Sequence, residues 1–364
     1  MMRILVFLFL FSTIGCQTEP KSSGSKNTEV QLPKAPNNSE SLVTLSYEAS
    51  KIYPTNNPVQ ISYKTTVNES LDSIRLAVDG LYRTTFFKTE NYVLWETVDE
   101  LPGTRSVMLT FYWNNTIQKS VVISIPLVSD FNPINYSYKV KNKWPHSNKA
   151  YTQGLEFSDG FLYEGTGQYG ESMLFKIDLQ KNEIVQSLNL PSDVFGEGIT
   201  ILSDKIFQLT WRSNLGYVYG KSTFNRLYEF NYPTEGWGLC NNGKELIMSD
   251  GTETIYFLDA EYFQEIRKIQ VYNDKGPVKN LNELEYINGE IYANIYGSDL
   301  IVAIDPEKGK VKKQIDLSGI LDKSKVKDPI DVLNGIAWNA NTKQLIVTGK
   351  WWPEFFEIEL VEKK

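Results

Sequence analysis

Histidine is nearly missing from this chain of 364 residues, which has one, His146. That excludes most imidazole metal sites and any catalytic arrangement that pairs histidines. Cysteine is almost as scarce, Cys16 and Cys240 being the two present, so no disulfide framework holds the fold. Basic charge is not in excess: 37 Lys+Arg stand against 44 Asp+Glu, a net charge of −7. A nucleic-acid partner, which calls for a basic patch, is therefore not expected. The apolar run at residues 4–11 has eight residues, whereas a membrane-spanning helix needs about 20. What the chain does have is 41% hydrophobic residues, enough for a large core, and 13% aromatics, a bias toward strands.

The first residues read as an export signal: Arg3, the apolar run, then the small-residue exit Ser12-Thr13-Ile14-Gly15. Gly15-Cys16 resembles a bacterial lipobox, with Thr13 where that pattern prefers Leu. The resemblance implies a lipoprotein signal peptide at 1–15. Cys16 would then be lipidated, as by palmitate, and anchor the exported protein to a bacterial membrane, facing the periplasm or the cell surface. The alternative is an ordinary secretory signal cleaved near Gly15. Cys240 is left to act as a small buried apolar residue. Residues 16–41, rich in Lys, Ser, Asn and Pro and without apolar periodicity, read as a flexible linker.

From 42 to 128, short stretches alternate apolar with polar residues, at 43–47, 59–63, 73–78, 106–112 and 121–126, with turn clusters such as Asn56-Asn57-Pro58 and Pro102-Gly103 between them. That pattern predicts a small Ig-like β-sandwich, and it carries no evident chemistry.

Residues 136–364 repeat. Gln153-Gly154-Leu155, Glu197-Gly198-Ile199, Trp237-Gly238-Leu239, Asn282-Glu283-Leu284 and Asn334-Gly335-Ile336 follow one another at spacings of 44, 40, 45 and 52. Each is followed by a second and a third apolar strand. A period near 45 with four strands per unit predicts a five-bladed β-propeller, its last blade completed by 136–140 from ahead of the first. A solenoid is the rival, but it calls for capping units that this sequence does not show. The fold class expected is all-β, a five-bladed β-propeller preceded by a small β-sandwich.

Equivalent positions on different blades converge on the channel. The ring before each Gly-Leu/Ile holds Gln153, Glu197, Trp237, Asn282 and Asn334: one acid, three amides and one indole. A second register, fourteen residues on in four units and sixteen in the fifth, holds Gly167, Trp211, Gly251, Tyr296 and Lys350. Polar groups that converge between aromatic walls describe a small-ligand site. The competing reading is structural: a paired channel carboxylate, amides that hold ordered water, and aromatics that belong to the core.

These stretches resemble the glutamine cyclotransferase family of plant and bacterial propeller type. The motifs are Pro145-His146, 150–155 (AYTQGL), 195–200 (FGEGIT), 208–211 (QLTW), 235–239 (EGWGL), 249–251 (SDG), 281–285 (LNELE), 333–337 (LNGIA) and 348–353 (TGKWWP), in order across 136–364. The resemblance implies conversion of N-terminal glutamine to pyroglutamate with release of ammonia, on peptides or proteins, with no cofactor and no metal. It places the catalytic acid on Glu197, substrate-binding polar groups on Gln153, Asn282 and Lys350, and the aromatic pocket on Phe195, Trp211 and Trp237. Tyr151 stands where the family commonly has Phe, and Tyr296 where it commonly has Trp, so each keeps a ring and adds a hydroxyl. A monomer is expected. Two other functions compete: a Ca²⁺-dependent, lactonase-like propeller hydrolase using Glu197, Asn282 and Asn334, and a non-catalytic binding lipoprotein.

Overall fold

Alternating burial in Val59–Thr65, with Val59, Ile61 and Tyr63 inward, shows why the N-terminal stretches pair as strands: only that spacing puts every second side chain on one face. The computed structural model describes residues Leu42–Lys364 apart from Lys88, Asn115 and Thr116. The signal at 1–15, the linker at 16–41 and Cys16 lie outside the described residues.

The sandwich packs β1 (Val43–Ser46), β3 (Val59–Thr65) and β6 (Tyr92–Trp95) against a sheet ordered β2-β8-β7-β4-β5. In that second sheet, β2 is Tyr53–Pro54, β4 Leu71–Val78, β5 Leu81–Phe87, β7 Gly103–Trp113 and β8 Ile117–Val128. Ile61, Ile74, Leu76, Trp95, Phe111 and Trp113 fill the space between the sheets. The sequence pattern did not announce β2, β5 or β6, because none alternates over four or more residues.

Next comes β9 (Ile134–Pro145), and then the chain runs through five units in sequence order. The first is β10 (Thr152–Ser158), β11 (Phe161–Thr166), β12 (Met173–Asp178) and β13 (Glu183–Asn189). The second is β14 (Gly196–Leu202), β15 (Lys205–Thr210), β16 (Leu215–Gly220) and β17 (Arg226–Asn231). The third is β18 (Leu239–Asn241), β19 (Glu245–Ser249), β20 (Thr254–Asp259) and β21 (Glu265–Gln270). The fourth is β22 (Leu281–Ile287), β23 (Glu290–Ile295), β24 (Leu300–Ile304) and β25 (Val311–Asp316). The fifth has three strands of its own, β26 (Leu333–Asn339), β27 (Gln344–Gly349) and β28 (Glu354–Glu362), and takes β9 as its fourth.

Each first strand packs on its neighbours, β10 on β14, β14 on β18, β18 on β22, β22 on β26 and β26 back on β10, so the ring closes. Apolar clusters fill the gaps between adjacent units, such as Ile199 with Tyr163 and Leu174, or Ala337 with Leu155 and Phe355. With both faces of each sheet covered, strands such as Glu245–Ser249 read as continuous apolar runs. Cys240 is buried in one of these clusters, beside Ile247 and Leu284.

β9 does more than complete the fifth unit. It pairs antiparallel with β28 from Glu354↔Pro145 to Glu362↔Tyr136, and parallel with β25 at Lys313↔Ile134. The last two units thereby merge into one eight-stranded sheet. Sandwich and ring form one compact unit joined at Asp130, which accepts hydrogen bonds from Thr55, Asn56 and Lys310. Burial pushes the Asp130 carboxyl up, but those three donors hold it down to about 2.

Near the axis the first strands run so close that glycine stands at this register in four of the five units. A Cβ on Gly238 would lie 1.9 Å from the Asn282 carbonyl oxygen, inside any van der Waals contact. In the fourth unit Glu283 occupies this glycine register. Its buried carboxylate reaches across the channel, accepting from Leu155 N at 3.1 Å and Ile336 N at 2.8 Å. The channel thus holds a second carboxylate one step beyond the ring of Glu197, which repeat alignment alone did not single out. Replacing Gly238→Ala is expected to lower stability by about 1–3 kcal/mol through overpacking, measured as a lower melting temperature. An unchanged melting temperature would show that the strands spread without cost.

Candidate active site

Nine of the residues named from the sequence line one cavity of about 240 Å³ at the mouth of the ring: Tyr151, Gln153, Phe195, Glu197, Trp211, Trp237, Asn282, Tyr296 and Lys350. The repeat explains the convergence, since these residues sit at or just before the start of first strands, or just after second strands, in all five units. Asn334 does not line the cavity. It lies behind Gln153, donating from Nδ2 to Gln153 Oε1 at 3.3 Å and to the Thr152 carbonyl at 2.9 Å. Gln153 in turn donates from Nε2 to Glu197 Oε1 at 2.9 Å. Two amides of the ring, Asn334 and Gln153, therefore form a relay that orients the one carboxyl group in the cavity lining. Asn282 keeps its side-chain oxygen buried with no hydrogen-bond partner among the described residues.

Aromatic rings build the walls. Phe195 meets Tyr151 with ring centroids 6.0 Å apart and Trp211 at 5.6 Å, while Trp237 meets Tyr296 edge-on at 5.6 Å. Gly251 makes room for the Trp237 indole, since a Cβ there would lie 2.6 Å from Cζ2 of that ring. The Lys350 ammonium lies 4.7 Å from the Tyr151 ring centre and 5.1 Å from that of Tyr296, in cation–π reach of both. The hydroxyl of Tyr151 donates to Asp331 Oδ2 at 2.9 Å.

Three lining or supporting residues were not found from sequence. Gln168 lines the cavity beside Gly167, held at a φ of 93°. Its signal was adjacency to the second register. Glu235 accepts the indole N–H of both Trp211 and Trp237, and Asp331 faces Tyr151. Glu235 stands two residues before Trp237, the place that Tyr151 and Phe195 hold in the first two units, and Asp331 stands three before Asn334; neither place is one of the two registers that define the channel.

Burial dominates the electrostatics. Glu197 is 4% exposed and Lys350 3%. Desolvation pushes the Glu197 carboxyl well above its usual range; the Lys350 charge pulls it back only in part, and Glu235 adds to the rise. Lys350 is displaced toward its neutral form by the same burial, with Glu197 and Asp331 opposing. For both groups the balance falls to desolvation.

The family model for glutamine cyclotransferase matches residues 115–360, two thirds of the chain. The chain belongs to the glutamine cyclotransferase family. The match starts ahead of the propeller, taking in β8 of the sandwich, which the motif comparison had placed outside the resemblance. The chain is 34% identical to the glutaminyl-peptide cyclotransferase of Arabidopsis thaliana over 300 residues, 81% of this chain and 92% of that relative. It is also similar to the crystal structure of Myxococcus xanthus glutaminyl cyclase, at 34% identity and a TM-score of 0.60, covering 64% of this chain and all of that one. A propeller with an amide-and-aromatic cavity on its axis is thus what this cyclotransferase family member presents.

A raised carboxyl pKa carries a definite sign for stability. The protonated native form is favoured, so this contribution is full below the ordinary value of 4.5 and is lost as pH rises through the native pKa. Glu197→Gln cannot lose that proton. The variant is expected to melt near wild type at pH 4 and above it by pH 8, a gap read from melting curves across that range. A gap that stays constant with pH would contradict the buried-carboxyl account.

Proposed function

We propose that this protein is a glutaminyl-peptide cyclotransferase, converting N-terminal glutamine of peptides or proteins to pyroglutamate with release of ammonia. The observation that carries the reading is the meeting, inside aromatic walls, of the buried Glu197 carboxyl group, the Asn282 side chain and Lys350. Family membership and the curated plant relative support it.

In this mechanism the substrate α-amine attacks the side-chain amide carbon, a C–N bond forms to close the five-membered ring, and the bond to the amide nitrogen breaks. Glu197 takes the proton from the attacking nitrogen and returns it to the leaving nitrogen, which departs as ammonia. The substrate amine has a pKa of about 8 and an unperturbed Glu of about 4.3, so the upward shift of Glu197 narrows a mismatch that would otherwise slow the transfer. Lys350 faces the amide oxygen as it gains charge, and Gln153 and Asn282 hold the amide group. The packed rings select the folded-back conformer, from which an intramolecular closure gains much of its rate. No metal enters this scheme. A cation beside the buried Lys350 ammonium would be repelled, which disfavours the calcium-hydrolase alternative.

The same proposal includes export, a lipid anchor at Cys16 and a monomeric state. Export and the anchor are supported by the sequence pattern of residues 1–16. Among the described residues no helix is long and apolar enough to cross a membrane.

Glu197→Gln keeps size and hydrogen bonding but cannot carry the proton. Its kcat on a Gln-initiated peptide is expected to fall by about 10²–10⁴, with KM much less affected. A folded variant with near wild-type kcat would overturn the mechanism. Because every lining residue belongs to the ring, a chain beginning near Asp130 is expected to fold and to keep its activity on short peptides. Soluble but inactive protein would give the sandwich a part in catalysis.

A further inference from the structure

The two halves of the aromatic wall come from different units. Trp211 directly follows β15 and carries Phe195 and Tyr151 beside it; Trp237 precedes β18 and carries Tyr296. One oxygen joins them. Oε2 of Glu235 accepts from Trp211 Nε1 at 2.9 Å and from Trp237 Nε1 at 3.0 Å, so the two indole nitrogens cannot lie farther apart than those distances together allow. The other oxygen, Oε1, accepts from Arg212 Nε at 2.9 Å, and the Arg212 guanidinium lies over the Trp211 ring at 3.9 Å. Backbone contacts fix the loop that carries the carboxylate: Gly236 N donates to the Trp211 carbonyl, and Asn214 Nδ2 to that of Thr234. Glu235 itself does not line the cavity.

We infer that Glu235 is a positioning residue for cyclisation, setting the distance between the Trp211 and Trp237 walls that hold the substrate side chain folded back. This rests on the reading of the cavity as a glutaminyl cyclase site. Neither backbone segment supplies an equivalent bridge: a side-chain acceptor must reach both N–H groups from one point, and a charged oxygen does so with two short bonds. Without it the indoles lose their common anchor, and a displacement of about 1 Å in a positioned substrate costs on the order of 10²-fold in rate. Arg212 acts on the far oxygen, so its removal leaves both indole bonds in place.

The test compares Glu235→Ala, Glu235→Gln and Arg212→Ala with wild type, each in the full chain. Two readouts are used: kcat and KM for ammonia release from a short Gln-initiated peptide, and the indole N–H resonances of the eight tryptophans. The Trp211 and Trp237 signals are assigned by their loss in Trp211→Phe and Trp237→Phe. For Glu235→Ala the expectation is a fall in kcat/KM of about 10–100-fold, shared between kcat and KM, with the two assigned resonances moving together. Glu235→Gln keeps an acceptor oxygen and should recover part of both. Arg212→Ala should stay within a few-fold of wild type with both resonances in place. If the alanine variant fails to fold, the glutamine variant decides. Wild type that releases no ammonia would sink the cyclase reading. Active wild type with Glu235 variants of unchanged kcat/KM, or with unmoved resonances, would sink the positioning role alone.

Discussion

Crowding at the propeller axis is the constraint on which the rest of this structure depends. Five first strands pack around one line, and where Gly238 faces the Asn282 carbonyl there is no room for even a methyl group. That closeness fixes the register of each unit against the next. The residue ahead of each glycine therefore arrives at the mouth of the channel at one level, whatever its chemistry. Glu283, the exception in the glycine register, uses its position to cap backbone amides of the first and fifth units, so the ring is also held by a carboxylate that spans it. A buried carboxylate is costly alone, and two backbone donors offset part of that cost.

The same crowding sets the electrostatics. A carboxyl group and an ammonium in water would both stay charged, and their attraction would be small. At the end of the channel both lose solvent, and for Glu197 the loss outweighs the help of Lys350. Burial thus shifts both groups toward their neutral forms, rather than locking them as an ion pair. The aromatic rings take part in this twice, by excluding water and by offering their faces to Lys350.

Much of this was legible in the sequence because a repeat turns linear spacing into spatial coincidence. Glu197, Lys350 and the tryptophans were found that way, by position in a unit. The same reasoning placed Asn334 in the ring, yet it lies behind Gln153 and out of the cavity, since register gives a level on the axis and not the depth of a side chain. Glu235 and Asp331 escaped because they act from the turns ahead of the first strands, two and three residues before the ring positions, where residue type changes from unit to unit. The sandwich was read from alternation, which found long strands such as Gly103–Trp113 and missed Leu81–Phe87 and Tyr92–Trp95. In β5 exposed apolar residues such as Phe87 blur the inside–outside contrast, and β6 is too short for a period to show.

β9 has a consequence for the order in which the chain assembles. It is among the first parts of the ring to be made, yet its partners β25 and β28 are among the last, as the pairing of Tyr138 with Leu360 shows. Until those strands exist, β9 has both edges open, and the first four units can stack without a seam to join. The entropy of closing so long a loop grows only with the logarithm of its length, so the finished ring loses little stability by it. The burden is kinetic: high contact order slows the final step and leaves bare strand edges exposed meanwhile. A ring fastened this way ties both ends of the propeller into one seam, so its last strand to be made is held by its first.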